Sequence, residues 1–145
     1  MSRTPGWIVI ALVASVLGLV GCASRNDGAA PAAPDPAHNS RNSLDWVGAY
    51  EGVTPCADCP GIRMRLTLQR DGRFELSTQY LDRQATPQTV RGSFSWNAAG
   101  STITLDGAGG GRQFRVGEGR LLQLDRDGGV PPWNATGRVL TRQPD

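Results

Sequence analysis

"IRMRLTLQRDGRFELSTQY", residues 62 to 80, decides the fold of this 145-residue chain. Ile62, Met64, Leu66 and Leu68 alternate with Arg63, Arg65, Thr67 and Gln69. Asp71-Gly72 supplies a favoured hairpin turn, and Phe74, Leu76, Thr78 and Tyr80 take up the alternation again. An apolar period of two, in two runs joined by a tight turn, is the signature of half-buried antiparallel strands. A helix would need apolar residues three and four apart, and no stretch of this region carries such a stripe.

Working outward, Val90, Gly92, Phe94 and Trp96 repeat the pattern and "NAAGS" follows as a turn. Shorter runs come next: Ile103 with Leu105, Phe114 with Val116, Leu122 with Leu124, and Val139 with Thr141. "GAGGG" (Gly107 to Gly111), "GEG" and "DRDGG" punctuate them, and "WVGAY" at 46 to 50 adds a strand upstream. The total is about eight short strands with tight connections, which makes an antiparallel β-meander. Such a sheet leaves reactive edges unless it closes, and about eight strands suffice for a small barrel. The expected fold is therefore all-β, a meander closing into a barrel, with an open sandwich as the competing architecture. The expected inward set (Met64, Leu66, Phe74, Leu76, Phe94, Trp96) is bulky and predicts a mostly filled interior.

The N-terminus reads as an address. Arg3 precedes an uncharged run from Trp7 to Cys22, too short and weakly flanked for a stable membrane span. The run ends in Leu19-Val20-Gly21-Cys22, which resembles the bacterial lipobox: branched apolar residues, a small residue, then the cysteine that is acylated and becomes the mature N-terminus. Residues 1–21 are thus expected to be a lipoprotein signal peptide and Cys22 the lipidation site, carrying palmitate-type chains. Several acyl chains hold a protein on a membrane, at about 0.8 kcal/mol per buried methylene. Ala23-Ser24 follows, without the aspartate that retains such proteins in the inner membrane, so a periplasm-facing place on the outer membrane is expected. Residues 22–43 contain no large apolar side chain and read as a lipidated, disordered tether; residues 44–145 form the barrel domain.

Charge excludes one class of partner. Removing residues 1–21 takes Arg3 away and leaves 14 basic residues, all arginine, against 13 acidic ones. With no basic excess, nucleic acid is not an expected partner. Enzymatic chemistry is not expected either. The single histidine, His38, lies in the tether, which rules out a Ser-His-Asp constellation in the domain. Asp58, Asp71, Asp106, Asp125 and Asp127 mostly sit in turn signals, where aspartate bonds its own backbone. "GAGGG" lacks the Lys-Ser/Thr of a phosphate loop, and Asn134-Ala135-Thr136 is a sequon of little meaning in a bacterial chain.

Cys56 and Cys59, in "YEGVTPCADCPGI" (residues 50 to 62), are the remaining chemistry. Outside the inner membrane two nearby thiols are usually oxidised, so a structural disulfide comes first. Closing so short a loop contributes only about 2 kcal/mol. A thioredoxin-like couple places its pair at a helix N-terminus, whereas Pro60-Gly61 and a strand follow here. Two thiolates are also half of a tetrahedral site, and a soft pair suits copper(I) or zinc, with Met64 the nearby soft candidate. Disulfide, metal contact and redox signalling all stay open on these grounds.

The residues Tyr50-x-Gly52-x-x-Pro55-Cys56-Ala57-Asp58-Cys59-x-Gly61-Ile62, followed by "LTLQRDGRFEL" and the strand ending in Tyr80, resemble the NlpE N-terminal domain family. The resemblance covers roughly residues 46 to 126, and PCADCxGI is far more specific than a bare CxxC. It implies an outer-membrane lipoprotein whose barrel is lipocalin-like. It also implies roles in copper tolerance, surface adhesion and envelope-stress sensing. The implied partners are an envelope-stress sensor or lipoprotein-trafficking proteins, with copper(I) as the implied cofactor. Of the family's notable residues only the CxxC carries over, to Cys56 and Cys59. Full-length relatives carry a second, OB-like domain with further cysteines, whereas this sequence stops at Asp145. Two other classes stand beside this one: a lipocalin-like module for a small ligand, and a structural adaptor without ligand.

Overall fold

The computed structural model describes residues 38–132, 135 and 137–144. The expected signal peptide, the expected lipidation site Cys22, most of the expected tether and the sequon residues Asn134 and Thr136 lie outside the described residues. A one-turn helix, α1 (Ser40–Ser43), precedes eight strands: β1 (Gly48–Thr54), β2 (Ile62–Leu68), β3 (Arg73–Tyr80), β4 (Gln88–Trp96), β5 (Thr102–Leu105), β6 (Gln113–Gly117), β7 (Arg120–Gln123) and β8 (Val139–Arg142). They form a closed barrel in chain order, each strand antiparallel to the next and β8 returning to β1. Closure removes the edges that a meander would otherwise expose.

The stretch at 62–80 folds as its alternation requires. Leu68 pairs with Phe74 and Leu66 with Leu76, so the apolar residues of β2 and β3 share the inner face. In the turn, Asp71 accepts from the Arg73 backbone N–H at 3.1 Å and pairs with the Arg73 guanidinium at 2.8 Å. "GAGGG" is more than a tight turn. Gly107–Gly109 winds into a 3-10 turn capped by the Asp106 carboxylate, and Gly110 ends it in the left-handed region at φ 68°. That conformation favours glycine because it has no Cβ.

The core is Tyr50, Met64, Leu66, Leu68, Phe74, Leu76, Ile103, Leu105, Phe114, Val116, Leu121 and Leu140. Four of the expected inward residues (Met64, Leu66, Phe74, Leu76) are fully buried, while Phe94 and Trp96 are half-buried against this cluster. Two short strands differ from the expected phase. In β7 and β8 the facing pair Leu121 and Leu140 joins the core cluster; Leu122 and Leu124 are buried as expected, whereas Val139 is half-buried and Thr141 exposed. A strand of four residues with adjacent leucines carries apolar side chains on both faces, so its neighbours decide which face turns inward.

Two further boundaries move. The upstream strand begins at Gly48 rather than Trp46 and runs on to Thr54. Residues 39–43, expected at the end of the disordered tether, instead pack on the barrel. Asn39 caps α1, the Arg41 backbone N–H donates to Gly100 O at 3.0 Å, and Ser40 Oγ donates to Val116 O at 2.8 Å.

That packing closes one end of the barrel. Trp46 meets Phe94 and Trp96 edge to face, with ring centroids 5.8 and 5.5 Å away. Its indole N–H donates to Arg41 O at 2.9 Å, and its own carbonyl accepts from the Tyr50 hydroxyl at 2.9 Å. Burial raises the Tyr50 pKa above its ordinary value, opposed by the nearby Arg142 charge. Arg142 in turn pairs with Asp45 at 2.9 Å, fastening the last strand to the segment before β1.

Candidate functional site

The opposite end is built from the loops 55–61, 81–87 and 106–112 and from residues 124–132, since β1, β3, β5 and β7 finish there. Cys56 and Cys59 lie in the first of these and form a disulfide, with S–S 2.09 Å and Cα–Cα 5.3 Å. Both are partly exposed, while the adjoining Gly61 is buried and Thr54 is 4% exposed. The loop is held from both flanks. Thr54 Oγ1 donates to Ile62 O across its neck at 3.4 Å, and the Leu81 backbone N–H donates to Gly61 O at 3.0 Å. At its tip, Arg83 donates to the Asp58 carbonyl at 2.8 Å and pairs with the Asp58 carboxylate at 2.9 Å. Preceding it, Asp82 adopts the left-handed φ of 61°, which turns the chain beside this contact. The sequence gives no warning of Arg83, because a contact between residues 25 apart has no local signature.

The disulfide also bears on metal. Among the described residues no group of three or more His, Cys, Asp or Glu side chains is arranged to hold an ion. Joined to each other, Cys56 and Cys59 have no thiolate to offer, and thiolate is what a soft cation binds. Met64, the expected soft neighbour, is 1% exposed within the core. The oxidised loop therefore does not fit copper(I).

Of the expected turn aspartates, Asp71 and Asp127 bond within their own turns, while Asp58 and Asp106 also reach neighbouring elements. Asp106 accepts from the Ser93 backbone N–H at 2.7 Å and from Ala108 N–H at 3.0 Å, which holds its carboxyl below the usual carboxylate range. Gly92 leaves the room for this, since a Cβ there would fall 2.4 Å from Asp106 Oδ1. Asp127 accepts from Gly129 N–H at 3.0 Å, and Asp125 pairs with Arg138 at 2.8 Å. His38 is exposed, ahead of α1.

Beside the disulfide loop the barrel opens into a cavity of about 780 Å³. Its lining includes Thr54, Ile62, Met64 and Tyr80 from the first half of the barrel. The second half contributes Arg112, Gln123, Leu124, Asp125, Arg126 and Arg138. The interior is thus filled through its middle and at the aromatic end but hollow here, where the inward set alone implied a filled core.

Comparison with known proteins agrees with the barrel fold. The NlpE N-terminal domain family matches residues 50–132, more than half of the chain. Lipoprotein NlpE of Escherichia coli (strain K12) is 29% identical over 117 residues, which is 80% of this chain and 48% of that protein. The chain thus spans about half the length of that curated relative. Among solved structures, a protein from Shewanella oneidensis described as a lipoprotein is 42% identical. It aligns with a TM-score of 0.66 over 74% of this chain and 97% of its own. The Cpx pathway activator NlpE from Escherichia coli aligns at a TM-score of 0.46, with 27% identity over 58% of this chain and 45% of its own. The eight-stranded barrel, the PCADC loop at its rim and the family match over residues 50–132 lead to one statement: the chain belongs to the NlpE N-terminal domain family.

Proposed function

We propose that this protein is a non-catalytic, outer-membrane lipoprotein, anchored through Cys22, that acts in envelope homeostasis, serving copper tolerance and envelope-stress sensing through its disulfide loop. The observation that carries the reading is the Cys56–Cys59 loop, displayed at the barrel rim and held by Arg83, in a chain of this family. The Escherichia coli relative is described as a Cpx pathway activator, and that role is what the reading carries over. Because the oxidised loop does not fit copper(I), its part in copper tolerance is that of a surface for a protein partner, such as an envelope-stress sensor or a lipoprotein-trafficking protein. The anchor places that surface in the periplasm.

The test is a chromosomal Cys56→Ser/Cys59→Ser replacement in the host, with protein level checked by immunoblot. Copper survival and an envelope-stress reporter should both fall while the protein level stays unchanged. Full copper tolerance and full reporter response at normal level would remove the loop from the function. A parallel Cys22→Ala replacement should leave an unprocessed precursor and deplete the outer-membrane fraction.

A further inference from the structure

The cavity beside the disulfide loop divides by chemistry. Its deeper lining is apolar: Met64 is 1% and Leu124 7% exposed, with Ile62 next to them. Its rim carries three guanidinium groups, from Arg112, Arg126 and Arg138, against Asp125 as the sole carboxylate among the lining residues. Asp125 is already used by Arg138, at 2.8 Å. Arg112 donates one N–H to Gly109 O at 2.7 Å, which leaves the rest of its fork uncommitted among the described residues. Arg126 is exposed and forms no ion pair with any described residue. Gln123 also lines the cavity, and its Oε1 is buried with no hydrogen-bond partner among the described residues, a state that native interiors seldom tolerate. The size is that of ordinary small-molecule sites, which run from about 300 to 1,000 Å³.

We propose that this mouth binds a single-chain anionic amphiphile, its carboxylate or phosphate head against Arg112 and Arg126 and its apolar chain over Met64 and Leu124. A guanidinium suits either head, because its planar fork matches two oxygens of a carboxylate or phosphate. The inference concerns the cavity and stands apart from the disulfide loop, so the Cys56→Ser/Cys59→Ser phenotypes do not bear on it.

The test uses the full chain in phosphatidylcholine nanodiscs and the fluorescent fatty acid 11-(dansylamino)undecanoate, with empty nanodiscs as the partition control. The protein-loaded discs should enhance fluorescence saturably beyond the control, and lysophosphatidic acid or dodecanoate should displace the probe. Methyl dodecanoate, which keeps the chain and lacks the charge, should displace at least tenfold less well. Arg112→Gln/Arg126→Gln should weaken probe binding at least tenfold with an unchanged β-type circular dichroism spectrum. The methyl ester arm uses the unaltered protein, so it decides even if the double variant folds poorly. No enhancement above empty discs would overturn the proposal, as would equal displacement by the ester. Displacement by millimolar inorganic phosphate as complete as by lysophosphatidic acid would also overturn it, making the rim a site for a free anion.

Discussion

The two ends of the barrel are finished in opposite ways. At one end Trp46, Phe94 and Trp96 pack edge to face over the core, and the one-turn helix α1 is bonded across them. At the other, the loops are rich in glycine and arginine, a disulfide replaces packing, and about 780 Å³ is left open. The closed end is stabilised by buried aromatic area, which is cooperative and hard to vary. The open end is held by local turns, caps and ion pairs, each worth little alone, so its side chains are free to serve contact. Stability thus concentrates at one end of one small sheet, and the proposed contact surface lies at the other.

Truncating the plug should have the largest effect. Trp46→Ala removes both ring contacts and the indole donor, and should cost about 3 kcal/mol in denaturant unfolding. Arg126→Ala at the mouth should stay within about 0.5 kcal/mol. Equal losses at the two positions would end the comparison. Next, Gly92→Ala forces a methyl group into the Asp106 carboxylate and should cost about 1–3 kcal/mol. An unchanged melting temperature would mean that the Asp106 cap is dispensable.

The disulfide follows. Cys56→Ser/Cys59→Ser should cost about 2 kcal/mol or less and leave the circular dichroism spectrum intact, because the closed loop is so short. Outright unfolding of the double variant would make the open end as essential as the closed one. Arg83→Ala should be smaller still, under about 1 kcal/mol, since the ion pair with Asp58 is more than half exposed. That variant should nevertheless let dithiothreitol reduce the disulfide faster, measured by thiol alkylation, because the loop tip loses both of its Arg83 contacts. An unchanged reduction rate would show that the Arg83 contacts do not hold the loop.

The gentlest lever is acid. The folded pKa of Asp106 lies below its ordinary value of 3.8, mainly because it accepts from Ser93 N–H. Its contribution is therefore complete above about pH 4 and fades as pH falls through the depressed folded value. Asp106→Asn should flatten that part of the stability curve between pH 5 and 2. An identical slope in variant and parent would assign the acid sensitivity elsewhere.

Most of the sheet was readable in advance because the side-chain period of a strand is a local property. Ile62 to Tyr80 alternates over two long runs around Asp71-Gly72, so a single strand phase satisfies every residue, and Leu66 does pair with Leu76. Spacing brought Cys56 and Cys59 to notice too, but left disulfide, metal contact and redox chemistry all open. Where the runs shorten, the local signal gives out. Leu121 and Leu122 are both fully buried, and only pairing with Leu140 tells which belongs to the core cluster. Trp46 as a plug, Arg83 on Asp58 and Gln123 beside three arginines depend on where the closed barrel brings distant loops. Arg142 reaching Asp45 across 97 positions is the extreme case. By itself, then, the sequence determined that this chain is an antiparallel all-β meander of about eight strands with a CxxC between the first two, since those rest on neighbours in the chain. Which end is sealed and which lies open was decided only in three dimensions, because ring closure sets which loops meet.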